Sequence, residues 1–196
     1  MGAMLKSNLF NYLLFQLGWF SCVLGAASGY PLLGLPVVAL VVLVHLSTAR
    51  RPVRELCLLL ICALFGLLFD SALLLTGWIG YPNGNWLPGL APYWIVVMWI
   101  LFGTTLNRSL AWMRGRPWLS LAFGAMGGPM SYMAGQGLGA MSILQPAPVM
   151  TALAIGWAIL LPLLFAIAAG LDGGMQPRRP EFVHTDWRQG GASSHV

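Results

Sequence analysis

Residues Leu56–Gly80 read LCLLLICALFGLLFDSALLLTGWIG, and this run decides the fold class. A helix needs about 20 apolar residues to cross ~30 Å of hydrocarbon, and the run exceeds that length. It carries a single charge, Asp70. The rest of the chain is of the same kind. Of 196 residues, 58% are hydrophobic and 8% are charged, and the mean hydropathy is +0.78. An ordinary soluble domain carries roughly 25% charged residues. So few charges do not clothe a water-facing surface. The composition therefore excludes a soluble enzyme, a disordered chain, a secreted disulfide scaffold and a coiled coil. It predicts an all-α, polytopic transmembrane helical bundle.

Working outward from the run gives six apolar segments, at about 8–28, 32–48, 56–80, 93–110, 118–142 and 149–171. They predict a six-span transmembrane domain over residues 1–172 and a flexible, polar cytoplasmic tail over 173–196. The ten basic residues provide a check on the count. Lys6 precedes the first segment. Arg50, Arg51 and Arg54 fall between the second and third, and Arg108, Arg114 and Arg116 fall at or after the end of the fourth. Arg178, Arg179 and Arg188 follow the sixth. All lie on one side, and the connections near 29–31, 81–92 and 143–148 carry none. Lys and Arg concentrate in cytoplasmic loops, so both termini are expected in the cytoplasm. The expected location is the bacterial inner membrane, multi-pass. The net charge of +5 then reflects topology, and no nucleic-acid partner is expected. The first segment is too long for a signal core, lacks a clear Ala-x-Ala site and is followed by five more spans.

The uncharged connections are built from Tyr, Trp, Pro and Gly. Tyr30, Tyr81, Trp86, Tyr93 and Trp94 are expected as an interfacial aromatic belt, because amphipathic rings suit the headgroup region. Cys22, Cys57 and Cys62 lack CxxC spacing and are read as packing residues. His45, His184 and His195 form no ligand pair, so no metal site is expected. No phosphate-binding loop, dinucleotide fingerprint or nucleophile elbow is present, and no cofactor is predicted.

Two polar features remain. Asp70 lies about fifteen residues into its segment, roughly 22 Å deep. A carboxylate there costs about 2.5–3.5 kcal/mol on insertion scales. No Lys or Arg matches its depth. One reading makes it a proton or substrate site, and the other makes it a tie between helices. The fifth segment supplies the second feature. Gly124, Gly128, Ser131, Gly135 and Gly139 recur every three or four residues on one helix face. Small residues at this spacing admit a neighbouring backbone. Pro129 frees a carbonyl beside Ser131, Tyr132 and Gln136. Gly124, Gly128, Pro129, Gly135 and Gly139 are thus candidate helix-packing residues. The candidate substrate-binding residues are Asp70, Ser131, Tyr132 and Gln136, with Trp78 and Trp99 as walls.

The stretches Asn11-Tyr12-Leu13-Leu14-Phe15-Gln16-Leu17-Gly18-Trp19-Phe20, Leu67-Leu68-Phe69-Asp70-Ser71, Pro92-Tyr93-Trp94-Ile95 and Gly127 through Gly135 together resemble DUF2878, a bacterial inner-membrane family of unknown function. The resemblance covers roughly residues 5–172. It implies no catalytic residues, and through the genes near which such proteins occur it hints at envelope lipids or stress.

The functional expectation is a small inner-membrane protein that binds or moves a small apolar or amphiphilic molecule. A non-catalytic subunit anchoring a lipid-modifying or envelope-stress system is the alternative. Its basic face, with Arg50, Arg51, Arg54, Arg114 and Arg116, would meet an acidic protein partner or anionic headgroups of membrane lipids. An intramembrane enzyme ranks third, because one carboxyl without a base, metal or nucleophile is a thin constellation. Oligomeric state is left open, a homo-oligomer included.

Overall fold

The computed structural model describes residues 2–172, with side chains from residue 7 onward; the expected tail at 173–196 lies outside the described residues. Six helices follow one another: α1 (Gly2–Ala27), α2 (Gly34–Ser47), α3 (Pro52–Leu75), α4 (Tyr93–Leu106), α5 (Pro117–Gly137) and α6 (Pro146–Leu171). Proline opens α3, α5 and α6, where its fixed φ suits a first turn and its missing N–H is not needed. α5 runs unbroken through Pro129.

The segment ends differ from the sequence reading where glycine turns the chain. α3 stops at Leu75 and not at residue 80, because Gly77 adopts φ +70°. α5 stops at Gly137 and not at residue 142. Gly139 sits beyond it at φ +86°, with Gly139 N–H on the Gln136 carbonyl and Ala140 N–H on the Gly135 carbonyl. Gly139 is therefore part of a left-handed helix terminus, not of the helix's packing face. The two chain ends released in this way pair. Ile79–Gly80 (β1) and Ser142–Ile143 (β2) form an antiparallel ribbon joining the two loops.

α1, α3 and α6 contain stretches long and apolar enough to cross a membrane, at Ser7–Ala27, Pro52–Leu75 and Pro146–Leu171. α2 and α4 have 14 residues each, about 21 Å of helix. Glycine and serine dilute the apolar character of α5. The outward faces are hydrocarbon. Leu56, Leu60, Leu64 and Leu68 recur every four residues on α3 and are 43–61% exposed. A continuous apolar stripe of this kind marks contact with lipid or protein, since soluble monomers seldom expose one.

α3 packs on α4, α5 on α6, and α1 on both α2 and α4. The arginines at the start of α3 and in the loop after α4 gather at one end of the bundle. Arg51 and Arg54 donate to the Asp172 and Leu171 carbonyls at 2.6 and 2.8 Å, and Arg114 pairs with the Asp172 carboxylate at 2.8 Å. Arg108 donates to Thr48. Cations at a helix C-terminus satisfy its free carbonyls and its dipole. The ribbon and the loop at 81–92 occupy the opposite end, where Asn83 donates to the Ala26 carbonyl at 2.8 Å.

Candidate functional site

Asp70 is completely buried near the ribbon end of α3. Its carboxyl accepts from three neutral donors. The Tyr81 and Tyr132 hydroxyls reach Oδ1 at 2.8 and 2.5 Å, and the Trp99 indole N–H reaches Oδ2 at 2.8 Å. One side chain thus joins α3, α4, α5 and the loop after β1. No Lys or Arg bonds it among the described residues. Burial first, and then the adjacent Asp70 carboxyl, push the Tyr81 phenol well above the usual tyrosine value, so Tyr81 is a donor here. Next to this hub, the Ser71 hydroxyl accepts from the Ala91 N–H at 2.8 Å and pins the far end of the same loop.

Two aromatics expected in an interfacial belt belong to this assembly. Tyr81 is 6% exposed and Trp94 is fully buried. The loop folds back over the bundle, so their polar tips find acceptors inside the protein: buried Asp70 for Tyr81, and the half-buried Asn83 carbonyl at 3.0 Å for Trp94. Tyr30 and Trp86 are exposed, at 68% and 52%.

Trp99 stacks on Trp157 of α6, with centroids 4.6 Å apart and planes 13° from parallel. Phe102 meets both rings edge-on. Glycines make room for the pair. A Cβ at Gly66 would overlap the Trp99 ring, one at Gly128 would overlap the Trp157 ring, and one at Gly124 would overlap the Trp157 backbone. The order across the bundle is therefore glycine, indole, indole, glycine.

The stacked indoles form the floor of a cleft of about 630 Å³ with α1 on one wall and α5 on the other. Phe15, Trp19 and Phe20 line the α1 wall, and Phe123, Met126, Gly127 and Met130 line the α5 wall. Its size lies within the ~300–1,000 Å³ typical of small-molecule sites. Among the described residues no charged side chain lines it. Asp70 stands behind the wall and reaches the cleft only through Trp99 and Tyr132, which line it.

The structure thus brings Asp70, Trp99 and Tyr132 into direct contact. Ser131 lines the cleft, but its hydroxyl donates to the Gly128 carbonyl of its own helix. Gln136 lies apart from them, exposed near the end of α5. Trp78 also lies apart, on the outer part of α6 beside Pro148 and Ala152, because the early end of α3 carries it into the ribbon loop. Gly135 faces Met141, the far end of whose side chain would lie 3.0 Å from an added Cβ.

A second buried polar group escaped the sequence reading. Glu55, in the first turn of α3, meets His45 Nε2 at 3.0 Å and accepts from Asn107 at 2.9 Å. His45 closes α2, and Asn107 follows α4, so the cluster ties three helices at the arginine-bearing end. Cys22 and Cys62 are buried and Cys57 is exposed; all three are free thiols.

A family model described as a protein of unknown function, DUF2878, matches residues 8–163. No curated protein and no solved structure matches the chain.

Proposed function

Taking as premise that this chain belongs to the DUF2878 family, we propose that it is a polytopic inner-membrane protein that binds an amphiphilic membrane lipid in the cleft between α1 and α5. The observation that carries this reading is the cleft itself: aromatic, uncharged among the described residues, and lined in part by apolar side chains of α1 and α5 that are themselves exposed, Phe20, Phe123, Met126 and Met130. Bilayer lipid is the solvent at such an opening. The reading assigns Asp70 a positioning role. Its carboxyl holds Trp99 and Tyr132, two of the cleft's walls, through the Trp99 indole N–H and the Tyr132 hydroxyl.

In this reading all six helices lie in the bilayer, with the arginine-bearing end and both termini in the cytoplasm. The exposed positions Leu87 and Gln145 suit a topology test, since neither is a strained glycine. With Cys57 replaced by Ser, an impermeant maleimide should label Leu87→Cys and Gln145→Cys in intact cells and leave Val53→Cys and Arg116→Cys unlabelled. The opposite pattern reverses the orientation.

The binding site is tested by an experimental structure in a lipid nanodisc with native lipids retained. Elongated density along Trp99 and Trp157 is expected. A cleft closed by direct contact of α1 with α5 would contradict the reading.

A further inference from the structure

The two ends of the cleft differ in what their polar groups have left to offer. At the ribbon end, the Tyr132 hydroxyl donates to Asp70 and the Ser131 hydroxyl to the Gly128 carbonyl. Both protons are committed inside the protein. At the arginine-bearing end, the Tyr12 hydroxyl accepts from Gln16 Nε2 at 2.9 Å. The Tyr12 proton and the Gln16 carbonyl oxygen then have no partner among the described residues. Tyr12 and Gln16 both line the cleft, and Tyr12 is 45% exposed. Each group presents unused hydrogen-bonding capacity at one end of the trough. Along its floor the buried Trp157 indole N–H also has no partner among the described residues and is open to an ester or hydroxyl oxygen further along the ligand.

Charge narrows the choice further. Arg108 and Arg114, the nearest basic residues in the chain to the cleft-lining Ser109 and Leu110, are turned to Thr48 and Asp172. An ionised head taken into the cleft at this end would lose water with no charged side chain lining its site among the described residues, which is costly. A neutral head with hydroxyl or ester oxygens matches the donor of Tyr12 and the acceptor of Gln16. Along α4 the lining runs from Ile95 to Thr105, about 15 Å, and continues to Leu110 in the following turn. That is a trough for one extended chain.

We infer that the cleft takes an uncharged amphiphile by one hydrocarbon chain, with its hydroxyl- or ester-bearing head at Tyr12 and Gln16 and its chain end toward Tyr132. The inference rests on the lipid-binding reading above and adds head chemistry and orientation.

The test uses the full chain in phosphatidylcholine nanodiscs and two photoreactive monoacylglycerols. One carries a diazirine at the chain end and the other beside the glycerol. Peptide mass spectrometry locates the adducts. The chain-end probe should mark Met130–Tyr132 and Ile95, and the glycerol-side probe should mark Tyr12, Gln16 and Ser109. Exchanged adduct positions would overturn the orientation while leaving lipid binding standing. Unlabelled monoacylglycerol should lower labelling about tenfold at a concentration where phosphatidylglycerol changes it little. Equal or better competition by phosphatidylglycerol would overturn the neutral head. Adducts confined to the outer helix faces, with none in the cleft, would overturn the lipid-binding reading and this inference with it.

Discussion

Gly127 and Gly128 are neighbours on α5 and face opposite circumstances. Toward α6, an added Cβ at Gly128 would overlap the Trp157 ring, so the missing side chain is replaced by a partner's indole. Toward the cleft, an added Cβ at Gly127 meets only the Phe123 ring, at an ordinary 3.8 Å. One side of the helix is closed, held by glycine contact and by Tyr132 on Asp70. The other side is open and lined by Met126, Gly127 and Met130. A missing side chain therefore serves packing at one position and leaves room at the next. The functional account depends on that asymmetry.

The largest effects should come from breaking the closed side. Asp70→Leu strands the Tyr81, Trp99 and Tyr132 donors, at about 1–3 kcal/mol for each buried group left unpaired. Thermal unfolding in detergent should show a severe loss. Asp70→Asn keeps an acceptor for the two tyrosines but turns an amide N–H₂ or a weaker carbonyl toward part of the network. It should lose about 1–3 kcal/mol, a single donor's worth. Equal stability of Asp70→Leu and wild type would remove Asp70 from the hub.

Gly128→Leu comes next. Overpacking against Trp157 should cost about 1–3 kcal/mol. Trp157→Ala in the same chain should recover part of that loss, a coupling expected between touching residues. Strict additivity in this double-mutant cycle would show that the two do not share a contact. Gly135→Leu should be milder, since it displaces only the flexible end of Met141. Met133→Leu changes a side chain that is 58% exposed, and should stay within about 0.5 kcal/mol of wild type.

The sequence made parts of this comparison legible. Long uncharged runs announced the helices, because few charges and a 20-residue apolar length have one economical explanation. Asp70, Trp99 and Tyr132 were candidates because they are polar or amphipathic groups in apolar surroundings, and they meet. Gln136 and Trp78 do not join them. One follows the α5 ladder to its exposed end, and the other leaves α3 at the Gly77 turn. Helix termini set by a positive φ are visible only as glycines, and many glycines here are helical. The ribbon of β1 and β2 is too short to carry a periodic signal. The Glu55–His45 contact crosses a tight turn between α2 and α3. A histidine in the last turn of one helix and a glutamate in the first turn of the next was its available clue. Tyr81 and Trp94 were misplaced because an aromatic beside Pro or Gly reads alike whether the adjoining loop faces solvent or folds inward over it.

The cleft was the least legible feature, since an empty space is a property of backbone positions and not of any residue type. Its occupancy is tested most directly by comparing retained lipid in wild type and Gly127→Leu by native mass spectrometry. The leucine projects into the cleft without meeting backbone, so the unfolding temperature should be nearly unchanged. Wild type should retain a lipid through detergent removal, and Gly127→Leu should retain about tenfold less. Equal retention by two equally stable proteins would contradict the assignment of the cleft as the binding site.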